Sequence, residues 1–325
     1  MLRWNAFAIL AAGLTAPAFF AQLKEPASQQ AKLTEKQEKE FTIQTTSRLV
    51  LLDVSVKDPK KGFVSGLTKD NFKVFENGKQ QEISQFANAD IPVTVGIVVD
   101  ESGSMRPKRP EVLTAALSFI TASNPQDELF VVNFNDRVYR GLPNGVLFSD
   151  DIRQLRDALR KDPPEGRTAL YDAITSALQQ LDQGRQDKKT LIVISDGGDN
   201  ASSHKLKDTM DAVLKSAATI YTIGIFDQDD PDRNPGVLRA LAHVSGGDVF
   251  FPRTLEGMVP ACRQIAQDIR TRYTIGYVPP ADNGKRLRNI RVVVNSPDHA
   301  HLIARTRTSY LFPDVSDVPK AAAER

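Results

Sequence analysis

Hydroxyls and carboxylates at close spacing are the first residues in this chain that could do chemistry. The run Val95-Gly-Ile-Val-Val-Asp100-Glu101-Ser102-Gly-Ser104-Met105 opens as an apolar, β-branched stretch, the pattern of a buried strand. It stops at an aspartate followed by hydroxyls at alternate positions. Asp-x-Ser-x-Ser on a tight turn offers one charge and two compact neutral oxygens, a donor set that suits a hard divalent cation. Neutral ligands leave such a cation electron-poor, so it keeps open positions that favour a carboxylate from another molecule. Asp and Ser are common residues, and the motif needs context to carry weight.

Two more segments supply the context. Leu191-Ile-Val-Ile-Ser-Asp196-Gly-Gly is a second apolar run that ends in an acid and then glycines. Gly166-Arg167-Thr168-Ala-Leu-Tyr-Asp172-Ala reads as a loop entering a helix, with a hydroxyl near the first turn. If the two runs are parallel strands of one sheet, all three segments reach the same carboxyl-end rim. Open α/β sheets bind their ligands there.

On these residues the chain resembles a von Willebrand factor A domain with a complete metal-ion-dependent adhesion site. The likeness runs from about Pro92 to Arg272. It implies that Ser102, Ser104 and Thr168 are hydroxyl ligands and that Asp100 and Asp196 act mainly through water or hydrogen bonds. It also implies Mg²⁺ or Mn²⁺ as the cofactor, and an Asp or Glu side chain of another protein as the group that completes the coordination. One departure is visible. Many members have Gly-Gly-Thr where this chain has Gly166-Arg167-Thr168, which sets a cation beside the metal. Arg167 is therefore a candidate partner contact, as is Glu101, expected to point outward from the metal loop. The flanks, Gly66-Leu-Thr-Lys-Asp-Asn-Phe72 and Tyr273-Thr-Ile-Gly-Tyr277, resemble the secreted bacterial type common in Acidobacteria.

The elements that must position this site follow from patterning. From 91 to 271 strands alternate with amphipathic helices, the signature of an α/β fold with a doubly wound, mostly parallel sheet covered on both faces. Ser149 and Asp150 are the expected caps of a helix from Asp151 to Arg160. Before it, residues 41–90 read as β: an alternating strand near Arg48 to Lys57, then a hairpin in which Asn77-Gly78 supplies the positive φ of a type I′ turn. After it, residues 272–311 return to β. Neither flank has enough strands to stand alone. Together they give about six, enough for one sandwich. The expectation is a small all-β domain composed of both flanks, with two unrelated appendages as the alternative.

The N-terminal residues 1–21, with Arg3 ahead of an uncharged apolar stretch and small residues near Ala18, read as a cleaved signal peptide, with an uncleaved membrane anchor as the alternative. Residues 22–40 are a polar linker and 312–325 a mobile tail. The mature chain is thus expected to be periplasmic or secreted, with no membrane span.

Composition narrows the function classes. A net charge of +2 and the lack of a Lys/Arg stripe give no footprint for nucleic acid. One cysteine, Cys262, rules out an intrachain disulfide framework, leaving either a small buried apolar residue or a reactive thiol. His204, His243, His299 and His301 lack zinc spacing and read as surface residues. Asp227, Asp229, Asp230 and Asp232 read as a solvated acidic loop without the glycine and distal glutamate of a calcium loop. No Gly-x-Ser-x-Gly elbow accompanies the serines, and no general base stands beside the site. The sequence therefore points to a non-catalytic, metal-dependent protein-binding module. A metal-dependent hydrolase and a module whose metal only orders its loops are the alternatives. Sequence leaves the partner's identity and the oligomeric state open.

Overall fold

The structure is a computed structural model that describes residues 49–161, 163–226, 232–280, 286–299 and 301–312. The expected signal peptide, the polar linker, the tail from 313 onward and residues 227–231 of the acidic loop lie outside these. Among the described residues no helix is long and apolar enough to cross a membrane.

The chain begins in β structure. Strand β1 (Val50–Asp58) is followed by the short β2 (Gly62–Phe63), then β3 (Phe72–Glu76), β4 (Lys79–Gln81) and β5 (Ile83–Ala87). Asn77 and Gly78 close the β3–β4 hairpin at φ 48° and 81°, the left-handed conformations that a type I′ turn requires. The α/β layer follows. Its strands are β6 (Val93–Asp100), β7 (Glu128–Phe134), β8 (Val138–Arg140), β9 (Lys188–Ser195), β10 (Thr219–Gly224) and β11 (Val249–Phe250). Its helices are α1 (Arg109–Ala122), α2 (Ile152–Leu159), α3 (Leu170–Leu181), α4 (Leu206–Lys215), α5 (Pro235–Ser245) and α6 (Met258–Thr271). The chain then returns to β structure with β12 (Tyr273–Tyr277), β13 (Leu287–Val294), β14 (Ile303–Arg305) and β15 (Ser309–Leu311).

The central sheet runs β11-β10-β9-β6-β7-β8, parallel except for the β8 edge. β6 and β7 are buried from end to end, as continuous apolar runs must be when helices cover both faces. Helix α1 packs against α2 and α6, while α3, α4 and α5 pack in succession. The chain moves from β6 outward through β7 to β8, then returns to lay β9 on the other side of β6. The topological switch point therefore lies between β6 and β9, where Val99 pairs with Ile194.

The two β flanks share strands. β1 pairs with β12 and β3 with β13, all antiparallel. One five-stranded sheet runs β14-β1-β12-β5 with β2 beside β1, and a four-stranded sheet runs β15-β13-β3-β4. Both line one apolar core that includes Leu52, Val54, Phe72, Val74, Tyr273, Ile275 and Val292. The strand count exceeds the expected six because β2 and β15 add to it and because the return arm of the hairpin breaks at Glu82. β4 stays with β3, whereas β5 crosses to the other sheet and pairs with β12.

One local signal was off. The cap of α2 is Asp151, whose side chain accepts from Arg153 N, while Ser149 Oγ accepts from Asp151 N one step earlier. Helix α3 starts at Leu170, so Thr168 stays in the preceding loop.

A carboxylate and hydroxyl cluster at the switch point

Strand β6 ends with Asp100 at the switch point, and β9 delivers Ser195 and then Asp196 beside it. Asp100 is 1% exposed and Asp196 2%. Asp100 Oδ1 accepts from Ser102 N at 2.9 Å, and this bond folds the chain back over the strand end. Asp100 Oδ2 accepts from Ser195 Oγ at 2.6 Å. Ser102 Oγ lies 3.1 Å from Ser104 Oγ, and Ser104 Oγ donates to Asp196 Oδ2 at 2.8 Å. Asp196 Oδ1 accepts from Gly198 N at 3.1 Å. Asp100, Ser102, Ser104 and Asp196 thus form one hydrogen-bonded cluster.

The Thr168 loop is tied to the same place through its backbone. Gly103 N donates to Gly166 O at 3.1 Å, Glu165 N to Glu101 O at 2.9 Å and Ala169 N to Asn135 O at 2.7 Å. Arg106 adds a clamp, its Nε and Nη2 both donating to Pro164 O at 3.1 and 3.0 Å. On the other side Asn200 Oδ1 accepts from Thr168 N at 2.9 Å, while Thr168 O accepts from Asn200 N and Ala201 N. Gly197, with φ 80°, lets the chain leave Asp196 sharply, and a Cβ there would collide with the Asn234 carbonyl.

The partner-contact residues separate. Arg167 is exposed, and Nη1 reaches Asn200 O at 3.5 Å. Glu101 does not point outward. It is 2% exposed and ion-paired with Arg109 at the start of α1. Alternation along an extended chain turns Glu101 away from Asp100 and Ser102, but the side it meets is the body of the protein. Buried and ion-paired, Glu101 does not offer the outward partner contact expected of it. Asp199 Oδ1 accepts from Tyr171 N and Ser202 Oγ, which makes it a cap on the first turn of α3. Asp172 accepts from Ser203 N, His204 N and His204 Nδ1, the last at 2.6 Å. Ser195 and Arg106 escaped the sequence reading. For Ser195 a signal existed: a hydroxyl interrupts the apolar run one residue before Asp196.

Electrostatically the cluster is unbalanced. Burial, and then the neighbouring Asp196 charge, push the Asp100 carboxyl up to about 7 against hydrogen bonds from Ser102 and Ser195. No Lys, Arg or His of the described residues pairs with either carboxylate. Two like charges that no cation of the described residues neutralises, bridged by hydroxyl oxygens, form a hard-oxygen donor set that fits a small dication. No group of three or more His, Cys, Asp or Glu stands together among the described residues. The hydroxyls here complete what would otherwise be a two-acid site.

A model of the von Willebrand factor type A domain matches residues 95–198, which span Asp100, Thr168 and Asp196. The chain contains a von Willebrand factor type A domain. Among curated proteins it is similar to the uncharacterized protein sll0103 of Synechocystis, with 25% identity over an alignment of 256 residues that covers 74% of this chain. The chain spans about half, 54%, of that relative's length. Among solved structures it is similar to a von Willebrand factor type A protein from Catenulispora acidiphila. That structure gives a TM-score of 0.50 at 16% identity and covers 76% of this chain and 75% of the other. A likeness at that identity speaks for the fold.

Proposed function

We propose that the von Willebrand factor type A domain of this chain binds another protein outside the cytoplasm through a divalent cation, Mg²⁺ or Mn²⁺. Ser102, Ser104 and Thr168 would be its direct ligands, while Asp100 and Asp196 would neutralise it through water or hydrogen bonds. An Asp or Glu of the partner would complete the coordination. The observation that carries this reading is the convergence of Asp100, Ser102, Ser104 and Asp196 into one cluster whose carboxylates pair with no Lys, Arg or His of the described residues. The cation would supply the charge that lets both acids stay ionised and that attracts a carboxylate. The protein's own residues do the rest: Asp100 and Ser102 shape the turn, Asn200 and Arg106 hold the Thr168 loop, and Arg167 stands exposed beside it. Export rests on the apolar N-terminal segment and its small residues. The proposal assigns the site no catalytic step.

The test is calorimetric titration with Mg²⁺, followed by capture from cell-envelope extract with Mg²⁺ against chelator. Wild type should bind the ion and retain a partner only with it. Asp100→Ala should lose both while its circular dichroism stays native. A partner retained equally in chelator, or wild-type Mg²⁺ affinity in Asp100→Ala, would overturn the reading.

A further inference from the structure

Strand β9 carries Asp196 just past one end, and at its other end it begins with Lys188. That side chain is 7% exposed, and its ammonium has only distant partners: the Arg272 carbonyl at 3.5 Å and the Asp53 carboxylate at 3.8 Å. An ammonium has three donors to satisfy. Burial holds its pKa below the ordinary lysine range, against the opposing pull of Asp53. Lys188 lines a cavity of about 150 Å³ between the central sheet and the β-sandwich. Leu51 and Ile91 give it apolar walls, and Arg307 also lines it. The Arg307 guanidinium donates to the carbonyls of Leu214, Ser216 and Ser309, and meets no carboxylate among the described residues.

We propose that this cavity binds a small monocarboxylate with a short apolar body, its carboxylate on Lys188 and its aliphatic part against Leu51 and Ile91. The volume admits a ligand of a few heavy atoms. A cationic ligand would face Lys188 and Arg307. A dianion such as phosphate would face Asp53, and Asp187 at the same cavity. An uncharged apolar ligand would leave the Lys188 ammonium as poorly satisfied as before. A monoanion supplies the missing acceptor and leaves the lining charges, Lys188 and Arg307 against Asp53 and Asp187, only one negative charge out of balance, where a dianion would leave two. Because Asp53 belongs to β1 and Lys188 to β9, the ligand would bridge the sandwich and the central sheet. The site stands independently of the metal reading and lies at the far end of the strand.

The experiment is thermal unfolding of the full chain in chelator with sodium propionate or butyrate. Controls at matched ionic strength are sodium chloride, sodium phosphate and methylammonium chloride. The carboxylates should raise Tm by about 5 °C at roughly a hundredfold excess over Kd, and the controls should not. Lys188→Met removes the ammonium. Leu51→Trp fills the cavity from a half-exposed wall position and leaves Lys188 in place, so it decides the matter if Lys188→Met does not fold. Loss of the carboxylate response in a folded variant supports the site. No response in wild type, an equal response to chloride or phosphate, or a response that survives Leu51→Trp overturns it.

Discussion

Buried acids gather at both ends of the central strands, under opposite rules. At the carboxyl ends, Asp100 and Asp196 face each other with hydroxyls between them, and burial with like charge drives Asp100 up to about 7. At the other end Asp268 of α6 is equally buried, at 1% exposure. Its Oδ2 accepts from Tyr221 OH at 2.8 Å, Arg305 Nη2 at 2.8 Å and Arg272 Nη2 at 3.3 Å. Burial pushes this carboxyl up too, but the Arg272 and Arg305 guanidiniums outweigh it and hold the pKa below the usual value. Arg272 also donates to Gly246 O at 2.8 Å and Asp53 O at 3.3 Å. It thereby ties the end of α6 to the sandwich. Depth alone does not decide the state of a buried acid; its neighbours do. The charge-compensated cluster ties α6 to the sandwich, and the cluster of like charges is the one proposed to take a cation.

The largest expected effect breaks the satisfied end. Asp268→Ala leaves Arg272 buried without its carboxylate, and stripping one partner from a buried pair costs about 3–5 kcal/mol. Urea unfolding should show that loss with or without Mg²⁺. Asp100→Ala, by contrast, removes one of two repelling charges together with the acceptor of Ser102 N and Ser195 Oγ, opposing effects that should leave a smaller loss in chelator. A larger destabilisation from Asp100→Ala than from Asp268→Ala would invert the comparison.

Acid and base titrations sharpen the same contrast. Asp268 has a depressed folded pKa, so its stabilisation is present above the unfolded value near 3.8 and lost as pH falls through the folded value. Asp100 has a raised one, so the folded state binds the extra proton between 3.8 and about 7. In chelator its contribution should decline as pH rises through that window. Saturating Mg²⁺ or Asp100→Asn should flatten the decline. Chemical denaturation at stepped pH from about 4 to 7 reads it directly, and a slope unchanged by either would show that Asp100 is not the group responsible.

The two ends also differ in how legible they were. Asp100 and Asp196 announced themselves because each closes an apolar run, and the strand periodicity that buries the run fixes where the acid must emerge. The α/β class followed from the same runs, and the β3–β4 hairpin from Asn77-Gly78. Asp268 and Arg272 are an i,i+4 pair at a helix end, a spacing shared with many surface pairs. Nothing local shows that Tyr221 and Arg305 close around them. Which strands of the two β flanks would pair was equally silent, since β1–β12 and β3–β13 join segments some 200 residues apart and no short pattern encodes such a partner. Glu101 failed for a related reason. Alternation turned it away from the metal loop, but only α1 could say that Arg109 stood there. Cys262 is 0% exposed, with burial pushing its thiol up to about 12. A thiol reagent at neutral pH should therefore label it only after unfolding.

The smallest expected effects concern the rim's edge. Thr168→Ala deletes one hydroxyl from a residue held by its backbone to Asn200 and Ala201. It should weaken Mg²⁺ binding while leaving thermal stability in chelator unchanged. Arg167 is a finer probe, because its guanidinium is exposed on the same loop and makes one long contact, to Asn200 O at 3.5 Å. A planar guanidinium beside a cation can hold the second oxygen of an incoming carboxylate, yet its positive charge also repels the ion. Arg167→Gly should therefore separate two quantities that every other rim variant moves together. Metal affinity should stay level or rise slightly, as the repulsion is removed, while partner affinity falls by a few-fold, the worth of one exposed charge-assisted bond. Calorimetry with Mg²⁺ alone, then partner binding at saturating Mg²⁺, measures the two. If metal affinity collapsed instead, Arg167 would belong to the loop's architecture and not to its outward face.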